Sequence, residues 1–218
     1  MRQGVAMHPP AILLETPQLL VVHKPAGMAV ERQLHGYPSV EDWAWQYLSA
    51  STKKPFIGIV HRLDRPVSGI LLLAKKRAAL KDLNLQFAER RTEKTYHAIV
   101  QQAPYPAAGT LIHWLAKDTE GKRAVIAREG ATGAARCELK YKILKDIPSG
   151  ILLEIKPVQG RFHQIRAQLA AAGTPILGDA RYGAEASWQP DAIALHAHSL
   201  RFRDPADGQW RTVTAEWE

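Results

Sequence analysis

Short apolar runs separated by polar breaks set the rhythm of this chain. Leu19-Leu20-Val21-Val22, Ile57–Val60 and Ile70–Ala74 are runs of four or five residues bounded by Gly, Pro or charge, the pattern of buried strands. Elsewhere the period is two. Thr95–Val100 puts Tyr96, Ala98 and Val100 on one face, and Ala135–Ile143 aligns Cys137, Leu139, Tyr141 and Ile143. Ile151–Val158, Ile193–Ala197 and Gln209–Trp217 read as further strands. Helical spacing over Val40–Leu48, behind Ser39 as N-cap, predicts one helix. A second runs from about Arg77 to Arg90 on a stripe of Leu80, Leu83 and Phe87. A third starts within Arg161–Arg166 and closes at Gly173, a natural C′ residue. Its apolar side carries Ile165, Leu169 and Ala172, and His163, Arg166 and Ala170 share another. Residues 101–135, rich in Gly, Ala and charge, read as hairpin connections with one short strand around Thr110–Leu115. Strands outnumber helices and hairpin connections dominate. The expected class is α+β, a single domain over 12–218 with a mixed, mainly antiparallel sheet flanked by helices, behind a flexible lead-in at 1–11.

Composition narrows the partners. The chain has 218 residues, 46% hydrophobic and 23% charged, with 29 Lys plus Arg against 21 Asp plus Glu. The formal charge of +8 and pI near 9.7 favour a polyanionic partner. A single cysteine, Cys137, excludes an intramolecular disulfide and any Cys-based zinc site. Its alternation with Leu139 and Tyr141 makes it a buried thiol. No signal peptide or membrane-length apolar stretch is visible, so the expected location is the cytoplasm, with no membrane partner.

The stretch from Gly58 to Lys75 carries the candidate chemistry. His61-Arg62-Leu63-Asp64-Arg65 is polar and lies between two apolar strands, so it is a connection at a strand end, where site residues collect. Asp64 is flanked by Arg62 and Arg65, which would hold it ionised as a nucleophile requires. The same residues also describe a structural loop whose arginines are solvated. Upstream, Lys24-Pro25-Ala26-Gly27 ends an aliphatic strand in a turn.

His61-Arg62-Leu63-Asp64, followed by Ser68-Gly69 and an aliphatic run, resembles the catalytic motif of the RluA-type family of RNA pseudouridine synthases. Lys24-Pro25-Ala26-Gly27 resembles that family's first recurring motif. Lys94-Thr95-Tyr96, Gly160-Arg161-Phe162-His163-Gln164-Ile165-Arg166, Pro175–Asp179 and Tyr182-Gly183 follow in the family's order. The resemblance spans roughly 19–200 and implies the pseudouridine synthase fold in its short form, without an S4 module. It also implies isomerisation of uridine in tRNA or rRNA, exchanging the N1–C1′ bond for C5–C1′ without cofactor or metal. By motif, Asp64 is the nucleophile, Arg166 its guanidinium partner, and Tyr96 stacks on uracil and takes the C5 proton. His61, Arg62, Arg161, His163 and Gln164 are substrate-binding candidates. Arg62 either fills the stack vacated by a flipped uridine or pairs with a neighbouring carboxylate. His61 and His163 are expected to orient loops by hydrogen bonds.

Two other functions compete. His196-Ala197-His198 puts two imidazoles on one strand face, which with His163 or Asp179 could bind Zn²⁺ in a hydrolase, although no His-Glu-x-x-His signature accompanies them. A catalytically silent RNA-binding protein of the same fold is the alternative within the family. A monomer is expected.

Overall fold

The computed structural model describes residues 8–33 and 38–217. In chain order the elements are β1 (Ala11–Glu15), β2 (Leu19–Lys24), α1 (Val40–Ser49), β3 (Gly58–Ile59), β4 (Ser68–Ala74) and α2 (Arg77–Ala88). Then come β5 (Glu93–Val100), β6 (Ala108–Asp118), β7 (Arg123–Ala127), β8 (Ala135–Ile147), β9 (Gly150–Pro157) and α3 (Gln164–Ala171). A 3₁₀ turn (Ala180–Tyr182), β10 (Leu195–Arg203) and β11 (Trp210–Thr214) complete the chain. The mixed α+β class expected from the sequence is the one that forms. Of the expected lead-in, residues 1–7 lie outside the described residues, and Ala11 already pairs with His23.

Chain contacts divide the protein into two compact units. The first holds residues 1–93, 190–192 and 197–218. Its strand order β1-β2-β4 is antiparallel, with Val21 opposite Leu72, β3 on the end of β4, and β11 antiparallel to β10. Leu19, Val21, Ile70, Leu72, Leu83 and Phe202 form its core, each at most 1% exposed. β2 and β4 are buried on both faces, which is why both read as unbroken apolar runs. In α1, Ser39 Oγ accepts the Asp42 N–H at 3.0 Å, the capping bond its position predicted.

Gly69 begins the inner part of β4 at φ +115°, and a Cβ there would collide with the Ala197 backbone. Only glycine relieves both conditions. The glycine of Ser68-Gly69 is thus required by how closely two backbones approach.

The second unit holds residues 94–189 and 193–196. Here β5-β9-β8-β6-β7 run antiparallel throughout. Cys137 and Leu139 are fully buried and Tyr141 nearly so, as the alternation required. Ile143 is half-buried, and a register shift between Ile143 and Lys145 ends the pattern. The short strand expected around Thr110–Leu115 is the middle of an 11-residue strand, β6, and part of the connection expected after it is a 5-residue partner, β7. The period was hidden because the wet side of β6 carries Ile112, 50% exposed. α3 also departs from the expected single apolar face. Gln164 through Leu169 are all buried, with Gln164, Arg166 and Gln168 among them, so its polar side chains must find partners inside the fold.

Candidate active site

The polar connection at 61–67 belongs to the first unit. Its turn closes through the Val67 N–H donating to the Asp64 carbonyl at 3.0 Å, with Leu63 and Val67 packed into the interior. The side chain that fastens it is Lys24, at the end of β2 and fully buried. Its Nζ donates to the carbonyls of Pro25 (2.9 Å), Met28 (2.8 Å) and Arg65 (3.2 Å), three acceptors for the three hydrogens of an ammonium. Gly27 N–H adds a bond to the Arg65 carbonyl at 2.8 Å. Lys24 thereby ties the Lys-Pro-Ala-Gly turn to the residue after Asp64. Burial pushes the Lys24 ammonium down to about 7, while the Asp64 carboxylate pulls in the opposite direction.

Arg62 and Arg65 have other carboxylates nearby. Arg62 Nη1 donates to Glu31 at 3.1 Å, with both side chains at least half exposed, and Arg65 Nη2 to Asp191 at 3.0 Å. His61 lies flat against Phe87, ring centroids 5.0 Å apart, and its Nε2 accepts the Leu72 N–H at 3.1 Å. Nδ1 therefore carries the proton.

In the second unit the bend into α3 gathers a dense polar network. His163 sits at the N-cap with left-handed torsions, φ 51° and ψ 23°. Gln164 clamps the bend: its Oε1 accepts the Arg161 N–H at 3.1 Å and its Nε2 donates to the Glu138 carbonyl at 3.1 Å. Arg166, 5% exposed, donates Nε to Asp179 Oδ2 at 2.7 Å and Nη2 to Oδ1 at 2.8 Å. Its Nη1 meets His163 Nε2 at 2.9 Å. A guanidinium can only donate, so Nε2 accepts and Nδ1 carries the imidazole proton, which goes to Tyr182 Oη at 3.0 Å. That phenol oxygen also accepts the Ala124 N–H at 2.7 Å and donates to the Ala124 carbonyl at 3.3 Å. The Arg166 guanidinium carbon lies 5.1 Å from the Tyr182 ring centre. Arg166, His163, Asp179 and Tyr182 form one connected unit.

Tyr96 is half-buried on β5, opposite Ile155. Burial lowers the pKa of its neighbour Lys94. Arg161 is exposed at the bend, as is Phe162, which stacks on His163 at 3.8 Å and lies under the Lys117 ammonium at 5.3 Å. Of the predicted site residues, then, His61, Arg62 and Asp64 belong to the first unit. Tyr96, Arg161, His163, Gln164 and Arg166 belong to the second, where His163 and Arg166 share one network and Gln164 clamps the bend beside it.

The family model described as RNA pseudouridylate synthase matches residues 18–171, a span from β2 through the network residues of α3. The chain belongs to the RNA pseudouridine synthase family, RluA type. Among its relatives, the ribosomal large subunit pseudouridine synthase C of Vibrio parahaemolyticus is 33% identical over 214 residues, covering 95% of this chain and 65% of the relative. That of Salmonella typhimurium is 35% identical over 225 residues, covering 98% and 68%. This chain thus spans about two thirds of the length of such relatives. The solved human RNA pseudouridylate synthase domain containing 1 superposes with a TM-score of 0.78 at 25% identity, covering 99% of this chain and 86% of that one. The human domain containing 4 gives 0.79 at 22%, covering 95% and 88%, a likeness of fold.

Set against the family motifs, the structure gives three further residues of this chain defined partners. Lys24, Asp179 and Tyr182 all stand in motifs legible in the sequence, but the resemblance gave none of them a role. A lysine closing an apolar strand was the one local hint of burial. The Arg166–Asp179 pair offered none, since thirteen residues and a turn separate the partners. Among the described residues no three metal-binding side chains cluster, and His198 Nδ1 lies 2.9 Å from the Ala215 carbonyl oxygen, a structural bond. No helix among the described residues is long and apolar enough to cross a membrane.

Proposed function

We propose that this chain converts specific uridines in RNA to pseudouridine, with ribosomal RNA of the large subunit as its substrate. The reading rests on family membership and on one observation above all: the buried Arg166 is aimed by a carboxylate on two nitrogens and an imidazole on the third. A guanidinium so deeply held suits a fixed charge in an active centre. The relatives act, by their names, on the large ribosomal subunit, which favours rRNA over tRNA.

In this reading Asp64 is the nucleophile and Arg166 its charge partner. The N1–C1′ bond of uridine breaks, the base turns, C5 bonds to C1′, the C5 proton leaves and N1 ends protonated. No atom is gained or lost, so the reaction calls for no cofactor. Tyr96 stacks on the uracil and takes the C5 proton. A phenol with its ordinary pKa of about 10 is a weak base, so it requires help from a nearby cation. Reaching the glycosidic bond of a stacked uridine needs base flipping. Arg62, paired with the half-exposed Glu31, is the residue that fills the gap. Arg62→Ala should weaken productive binding of folded RNA and leave stability within about 0.5 kcal/mol.

The test is tritium release from large-subunit rRNA transcripts labelled at uridine C5. Wild type should release it and Asp64→Ala should not, with both folded by circular dichroism. Salt-sensitive RNA binding without release from rRNA or tRNA would leave a silent RNA-binding protein in place of the enzyme.

A further inference from the structure

On the first unit, away from the 61–67 turn in sequence, a cleft of about 450 Å³ is lined by Arg90, Arg91, Glu93, Arg203 and Trp210. β10 and β11 build its floor. Arg203 stands directly opposite Trp210 in the ladder, and Arg201, two residues back, shares that face. The guanidinium carbons of Arg201 and Arg203 lie 4.5 and 5.1 Å from the Trp210 ring centre. The indole is nonetheless 40% exposed. The wall comes from the turn after α2, where Arg90 takes a left-handed φ of 57° and the Arg91 N–H donates to the Gln86 carbonyl at 2.8 Å. Two carboxylates share the region: Glu93 pairs with Arg201 at 2.8 Å and Glu89 with Arg91 at 2.6 Å. All four of those side chains are at least 41% exposed, so neither pair is strongly held. Four guanidiniums against two carboxylates leave an excess of positive charge.

We propose that this cleft is a second RNA-contact site, in which Trp210 carries an unstacked base and the arginines take the adjoining phosphates. Forked guanidiniums match phosphate oxygens, and an exposed indole offers a π-face that any base can stack on. An acidic peptide would engage the arginines but leave the indole without a stacking partner. The proposal rests on the reading of the protein as RNA-directed, and it extends the RNA footprint beyond the reacting uridine.

The experiment measures binding of a labelled oligouridylate of about 12 nucleotides, within the site size of single-strand binders, across a salt series. Trp210→Ala should weaken binding roughly 5- to 100-fold, the range for loss of one stacked base. The double variant Arg90→Glu, Arg91→Glu alters only an exposed turn and so guards against misfolding. It should weaken binding and flatten the salt slope by about 1 to 2, one phosphate contact being worth about 0.7. Oligouridylate binding unchanged in both variants would overturn the proposal. So would displacement by polyglutamate at equal charge with no dependence on Trp210, which would assign the cleft to acidic peptides. Tritium release run in parallel separates the two readings. A wild type that isomerises rRNA while both variants bind like it removes the cleft alone. Trp210-dependent binding without isomerisation keeps the cleft and removes the enzyme.

Discussion

Asp179 grips Arg166 edge-on, through Nε to Oδ2 at 2.7 Å and Nη2 to Oδ1 at 2.8 Å, with both side chains at most 5% exposed. Removing one partner of such a pair strands the other as a buried charge. Asp179→Asn keeps the shape and deletes the charge. It should cost about 3–5 kcal/mol in urea unfolding and lower tritium release further than the loss of folded protein accounts for. A cost below about 1 kcal/mol would mean that the pair behaves as a solvated one.

Tyr182 closes the other end of the same network. Its hydroxyl takes the Ala124 N–H at 2.7 Å, and Ala124 is only 4% exposed. Tyr182→Phe leaves that donor without its phenol and should cost about 1–3 kcal/mol. Faster hydrogen exchange at the Ala124 amide would locate the effect.

Lys24 gives a pH signature. The folded protein releases this proton near pH 7, an unfolded lysine only near 10.5. Between those values the unfolded chain carries the extra proton, so raising the pH favours the fold by up to about 1.4 kcal/mol per unit. Lys24→Met has no such proton. Wild-type stability minus that of Lys24→Met should be flat below about pH 6 and climb toward pH 10. A difference that falls with rising pH would mean that the buried ammonium keeps its charge more firmly than an exposed lysine.

Gly69→Ala forces a methyl into the Ala197 backbone at a φ of +115°. Strain and overpacking together should cost about 2–5 kcal/mol, visible as a lowered thermal midpoint. A midpoint near wild type would require β4 and the 197 segment to part without penalty.

Much of this was legible beforehand for identifiable reasons. β2 and β4 are covered on both faces and read as solid apolar runs, and Cys137, Leu139 and Tyr141 alternate because one side of β8 is dry. β6 was legible only as a short strand around Thr110–Leu115, and β7 escaped, because the exposed Ile112 and Ile126 break the two-residue period. α3 escaped differently: it is buried all round, and its polar residues are satisfied by long-range partners such as the Glu138 and Leu111 carbonyls. For the proposed site, residue types and order nominate Asp64, Tyr96 and Arg166. What holds them did not show. Lys24 acts on the Arg65 carbonyl across 41 positions, and its place at the end of an apolar strand is the one local sign that it is buried.

The left-handed torsions of His163 pull selection in two directions. A residue with a Cβ spends roughly 1–2 kcal/mol to sit there, and glycine would sit there freely. Glycine, however, would vacate both ring nitrogens, one facing Arg166 and the other Tyr182. Asparagine tolerates the torsion but is too short to span both partners. A library randomised at this codon should therefore split: survivors of heat alone drift to glycine, and survivors of an activity screen return to histidine.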